Sequence, residues 1–200
     1  MKLNLGETVL RINISFAAIV TLTLIIDESG LCAAAFFCCV IHEAGHILCL
    51  FVTGEKPKLI ELSFYGIKLE RKGTVTGRAE EAAVYASGPL ANFILSAVIF
   101  ALGNSQGMKT AAATSFCVGA FNLLPCMPLD GGNLLRIFLL RLMSEEKAEK
   151  ISFCVSACVL VPMAVMGITL IFANGNFTLA AVSVYLAFAS FTERKKSARS

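Results

Sequence analysis

The chain has 200 residues, of which 56% are hydrophobic and 16% charged, with a net charge of +3 and a mean hydropathy of +0.76. So much apolar surface exceeds what the polar residues of a soluble globule can cover, which excludes a water-soluble enzyme or binding module and predicts an integral membrane protein. The small positive charge calls for no nucleic-acid partner, because the Lys and Arg residues sort between two membrane faces.

Six apolar runs are long enough to be read as spans: 10–26, 31–52, 82–102, 110–140 with an interruption, 151–173, and a short last one at 177–191. The first lacks the small-residue cleavage site of a signal peptide and is expected to stay in the membrane. Asp27, Glu28, Ser29 and Gly30 then make a short outer turn.

The second run carries Ile41-His42-Glu43-Ala44-Gly45-His46-Ile47 and ends at Val52-Thr53-Gly54. A helix puts residues four apart on one face, so His42 and His46, the chain's two histidines, present neighbouring imidazoles, as a zinc ion requires of two nitrogen ligands. Glu43 is the one formally charged side chain between Glu28 and Glu55. A carboxylate at membrane depth is costly and marks a functional site; beside two metal ligands it suits a general base.

Residues 55–80 are the most hydrophilic stretch, and their pattern changes to alternation around Leu59 to Glu70, with Gly66 and Gly73 as turn candidates. This predicts a small β-hairpin at the inner membrane surface, which serves either as a covering loop or as an exposed edge that pairs with an extended peptide. The third run opens with Tyr85-Ala86-Ser87-Gly88-Pro89-Leu90-Ala91-Asn92, where small residues favour close helix approach and Asn92 either bonds across helices or lines a polar site.

The fourth run is broken by Phe121-Asn122-Leu123-Leu124-Pro125-Cys126-Met127-Pro128-Leu129-Asp130-Gly131-Gly132. Irregular backbone at membrane depth is tolerated where it is buried in protein or lines a wet cavity. Asp130, the sole charge between Lys109 and Arg136, is therefore the candidate third ligand, in the same inner half as the histidines. The last two runs carry no acidic, basic or histidine residue and read as support. All eight cysteines fall inside predicted spans as packing residues, which gives no disulfide framework; Cys126 is the one that neighbours a candidate ligand.

With the N-terminus cytoplasmic, sixteen of the 17 Lys and Arg residues fall on the inner side and Lys109 alone on the outer, so both termini are expected in the cytoplasm. Residues 1–192 read as a single membrane domain and 193–200 as a basic cytoplasmic tail.

Taken together, His42-Glu43-Ala44-Gly45-His46, the Asn122-x-x-Pro125-x-x-x-x-Asp130-Gly131 segment and the weaker Gly88-Pro89-x-x-Asn92 resemble the site-2 protease family of intramembrane zinc metalloproteases. The resemblance covers about residues 31–142 and is nearest the stage IV sporulation protein FB type. It implies an all-α polytopic fold of about six transmembrane helices with a three-helix catalytic core. It implies one zinc ion held by His42, His46 and Asp130, Glu43 as catalytic base, and Asn122, Asn92 and Pro125 as supporting or substrate-contacting residues. By the same resemblance the partners are a membrane-tethered protein substrate, such as a sporulation sigma-factor precursor, and inhibitory membrane proteins, in a bacterial cell membrane. No C-terminal nucleotide-sensing domain is read, so regulation by ATP is not implied.

Three other readings compete. A metal transporter also places histidine and carboxylate in a bundle, but it usually pairs broken helices in two related halves, whereas one interrupted span and no repeat is read here. Glu43 argues against a zinc-bearing regulatory or scaffold protein without turnover, a reading that an activity assay decides. A zinc peptidase with a downstream glutamate ligand would need Glu145, Glu146 or Glu149, all too near the cytoplasmic surface.

Overall fold

The computed structural model describes residues 2–5, 8–12, 27, 29–54, 57–63, 66–71 and 77–197, and side chains at 27, 29–54 and 77–192. They gather into two compact units, Met1–Ala120 and Phe121–Ser200.

The first unit contains a four-stranded sheet: β1 (Lys2–Leu5), β2 (Thr8–Ile12), β3 (Pro57–Ser63) and β4 (Gly66–Arg71), in the order β1-β2-β3-β4. β1–β2 and β3–β4 are antiparallel, while β2 and β3 run parallel, with Val9 opposite Leu59 and Ile12 opposite Leu62. Parallel neighbours need a long crossover, and the one between β2 and β3 carries helix α1 (Leu31–Val52). The span expected at 10–26 lies outside the described residues from 13 to 26, and its first three residues belong to β2. Thr8-Val9-Leu10-Arg11-Ile12 is rich in residues that favour strands, and so short an apolar run does not separate strand from helix by period.

Asp27 fixes the start of α1, accepting hydrogen bonds from the Ser29 amide (3.1 Å), the Ser29 hydroxyl (2.5 Å) and the Cys32 amide (2.7 Å). Its end is closed by the Thr53 hydroxyl, 3.0 Å from the carbonyls of Cys49 and Leu50, with Gly54 in the left-handed region at φ 78°. The buried residues between are Cys38, His42, His46 and Leu50, each four after the last, a single stripe one side chain wide. Phe37, Leu48, Phe51 and Val52 stand exposed on the other faces, as lipid contact requires.

Helix α2 (Arg78–Leu102) answers with its own four-residue stripe, Val84, Gly88 and Asn92, joined by Pro89. The two helices pack together, and at Gly45 they touch by backbone: a Cβ there would lie 2.6 Å from the Ser87 carbonyl oxygen. Helix α3 (Gln106–Asn122) buries Ala112, Ser115 and Gly119. Its Ser115 hydroxyl donates to the Asn92 carbonyl at 2.9 Å, and Ser96 of α2 donates to the Ala112 carbonyl at 2.8 Å.

The second unit begins with the irregular run 123–129 and continues through α4 (Asp130–Leu142), α5 (Glu145–Asn174) and α6 (Thr178–Ser197). Its core is Cys126, Leu160 and Leu186, with Phe121, Leu129 and Met163 against them. The run is held to α5 by the Met127 amide donating to Ser156 Oγ at 3.1 Å, and to α6 by the Ser190 hydroxyl donating to the Met127 carbonyl.

Among the described residues three helices are long and apolar enough to cross a membrane: α1, α2 and α5. The sequence pattern predicts six spans. The interrupted run divides into α3 and α4, of 17 and 13 residues, each short of the roughly 20 that a 30 Å hydrocarbon layer needs. The apolar part of α6, Thr178–Thr192, is also too short to count by itself.

Candidate metal centre

The four-residue stripe of α1 brings His42 and His46 together, both buried, with their Nε2 atoms 3.2 Å apart and their rings nearly perpendicular at 84°. Two ligands each about 2.0–2.1 Å from one ion at a tetrahedral angle stand about 3.3 Å apart, so this pair has the separation a shared zinc ion requires.

Their other ring nitrogens are engaged by α2. His46 Nδ1 lies 2.7 Å from the Val84 carbonyl oxygen, which can only accept, so the Nδ1 proton is fixed there and Nε2 offers a lone pair. The Ser87 hydroxyl donates to the same carbonyl at 2.7 Å. On His42, Nδ1 lies 3.2 Å from the amide nitrogen of Asn92. Such outer partners set the ring orientation of metal-binding histidines.

Gly88 makes the room. A Cβ at this position would fall 2.4 Å from His46 Nε2 and 2.8 Å from His42 Nε2, within contact distance of both nitrogens. The donor chemistry therefore fits one zinc ion: borderline-soft nitrogen ligands, aimed inward, with a space that any side chain would fill.

Glu43 follows His42 on α1 and is half-buried. Asn92 is completely buried, with α1 on one side and the α3 residues Ser115 and Gly119 on the other, so it has no surface to offer a substrate. In the second unit Asp130 is the first residue of α4, half-buried, and behind it Gly131 and Gly132 admit the backbone of Leu123, Leu124, Cys126 and Met127. A Cβ on Gly131 would lie 2.0 Å from the Leu123 carbonyl oxygen, so the run that follows half-buried Asn122 and carries half-buried Pro125 is pressed against the helix turn that carries Asp130. Asn133 secures that turn by donating to the carbonyls of Pro128 (3.2 Å) and Leu129 (3.1 Å). Cys126 is buried in the core of this unit, as a packing residue.

Two contributors escape a reading of the sequence. Val84 acts through its backbone carbonyl, which its side chain does not announce, and Gly88 acts through the space it leaves rather than through packing alone.

Residues 105–163 match the model of peptidase family M50, a stretch that contains the Asn122 to Asp130 segment. The chain is 27% identical over 169 residues to a zinc metalloprotease of Methanocaldococcus jannaschii (MJ0392), covering 80% of this chain and 48% of that protein. It is 29% identical over 125 residues to stage IV sporulation protein FB of Bacillus subtilis, covering 59% and 43%. The chain thus spans about half the length of these curated relatives or less. Among solved structures, the site-2 protease from Methanocaldococcus jannaschii has the same fold, with a TM-score of 0.70 at 23% identity over 97% of this chain and 94% of that one.

Proposed function

We propose that the chain is a member of the site-2 protease family, to whose members it is similar in sequence and fold, and that it is an intramembrane zinc endopeptidase, hydrolysing a peptide bond in or near the membrane segment of a membrane-bound precursor. The observation that carries this reading is the buried His42–His46 pair, Nε2 to Nε2 3.2 Å, on an apolar helix of 22 residues with Glu43 beside it. In this reading His42, His46 and Asp130 hold the ion. A bound zinc supplies Lewis acidity, which polarises a carbonyl and brings the pKa of water to about 7.

The remaining roles fall to side chains. Glu43 accepts the proton of the attacking water and returns it to the amine nitrogen that leaves, so the broken C–N bond yields one carboxyl and one amino terminus. The Asn122 amide donates to the carbonyl oxygen as it gains charge. A helical substrate hides its amides in its own hydrogen bonds and must present an extended segment. As the outer strand in the order β1-β2-β3-β4, β4 offers an edge to which such a segment can add.

The finer reading keeps six spans in one protease domain, a sheet at the cytoplasmic membrane surface and both termini inside, which places release of the product in the cytoplasm. Inhibitory membrane proteins are the expected regulators. Likeness to a sporulation protein supports membrane-tethered transcription-factor precursors as the first substrates to try.

The test co-expresses such precursors with wild-type and Glu43→Gln protein. A shortened product is expected with the wild type, and a rate lower by roughly 10²- to 10⁴-fold with the variant, zinc content unchanged. Cleavage by Glu43→Gln at the wild-type rate sinks the proposed base. In the same preparation Asp130→Ala is expected to lose zinc; full occupancy would reassign the third ligand.

A further inference from the structure

Asn92 contributes something other than substrate contact. Its side chain is fully buried, its amide nitrogen stands 3.2 Å from His42 Nδ1, and its Oδ1 is one of two buried side-chain atoms among the described residues with no hydrogen-bond partner. Its own backbone is pinned by the Ser115 hydroxyl, which donates to the Asn92 carbonyl at 2.9 Å and holds the residue beside the ring. An unpartnered buried carbonyl oxygen is costly and calls for a role.

The two ends of an amide have nearly one shape and opposite chemistry. With Nδ2 toward the ring, His42 Nδ1 is an acceptor and the ring proton sits on Nε2, facing His46 Nε2 at 3.2 Å. This closes a directed chain: Asn92 donates to His42, His42 to His46, and His46 to the Val84 carbonyl. In that setting His42 has no lone pair for a metal. With Oδ1 turned toward the ring, Nδ1 carries the proton and Nε2 is bare.

We propose that Asn92 is a positioning residue with two settings, donating to His42 Nδ1 in the metal-free protein and accepting from it once zinc is bound. The change moves one proton from Nε2 to Nδ1 of a ring that stays neutral, and it turns the amide by half a revolution. Each setting leaves one end of the amide away from the ring, so neither is strongly favoured and the ion's preference for a bare nitrogen decides between them. This rests on His42 and His46 being the zinc ligands.

The test uses the full chain in detergent, with Zn²⁺ as the probe and affinity read by competition with a chromophoric chelator. Asn92→Leu, which neither donates nor accepts, is expected to bind zinc roughly 10- to 100-fold more weakly. Asn92→Asp, which accepts when ionised, is expected to stay within about threefold of the wild type, since the acceptor is what the loaded state uses. Because the chain has two histidines, ¹⁵N-histidine NMR reads both tautomers directly. Metal-free wild type is expected to show one ring protonated at Nε2 and one at Nδ1, and zinc-loaded wild type both at Nδ1. Both rings at Nδ1 before metal is added would overturn the proposal, as would Asn92→Leu with wild-type affinity. The wild-type spectra and Asn92→Asp decide the matter if Asn92→Leu does not fold. Failure of wild-type protein to bind zinc at all would instead remove the metal centre itself.

Discussion

Gly88 shows how far one hydrogen atom in place of a methyl group reaches. The position is helical, so alanine costs nothing in backbone conformation there and on propensity alone would stabilise α2. The new carbon, however, would stand 2.4 Å and 2.8 Å from the two Nε2 atoms, closer than any unstrained contact. Gly88→Ala is therefore expected to fold and to lose zinc affinity by about tenfold or more, the overpacking cost being on the order of 1–3 kcal/mol. Zinc titration alongside thermal unfolding of the metal-free protein separates the two effects. Retained affinity would mean that the ion does not lie beside Gly88. Of the residues around this point, His42 and His46 are readable from sequence because a helix converts a spacing of four into adjacency. The Asn92 amide and the Val84 carbonyl reach those rings only through the register of α1 on α2, and no spacing within either helix encodes that register.

That register is set where small residues meet, and it belongs to the helices as units. Gly45 of α1 rests against the Ser87 carbonyl and Ala91 of α2, where a Cβ would make contacts of 2.6 and 2.9 Å with backbone and side chain that cannot swing away. Close approach of this kind is the main source of helix association in lipid, where burying apolar surface yields no gain. Gly45→Ala is expected to push α1 outward and lower stability by about 1–3 kcal/mol. It is also expected to weaken zinc binding, because His46 sits one residue further along the same face of contact. Gly107→Ala in α3 is the matched control: its Cβ would meet nothing within 4 Å, so the melting temperature should hold or rise slightly. Equal melting temperatures for the two variants would show that the α1–α2 crossing is not limited at Gly45. At this scale α1, α2 and α5 follow from apolar length. The strand at Thr8–Ile12 does not, since one of its partners, β3, lies more than forty residues downstream and that pairing leaves no local mark.

For the molecule as a whole, the proposed protease reading raises the question of which side of the membrane would receive a product, and the answer depends on orientation. α1 rises about 1.5 Å per residue, so His42 and His46 lie roughly 17 and 23 Å along it from Leu31, nearer the Val52 end. Beyond that end stand Lys56, Lys58, Lys68, Arg71, Lys72 and Arg78, six of the sixteen basic residues assigned to the inner side, against Lys109 on the other. Such an excess in short loops orients membrane proteins with that face in the cytoplasm. The expected topology puts the turn before α3, at Asn104 and Ser105, on the outer side, with the C-terminus inside. Alkaline phosphatase inserted after Ser105 should be active, and a fluorescent protein fused after Ser200 should fold and fluoresce. Both fusions are read in strains carrying the Glu43→Gln chain, so that no processing intervenes. An inactive phosphatase at Ser105 beside a dark C-terminal fusion would invert the orientation, move the histidine pair to the outer leaflet and send the cleaved fragment out of the cell.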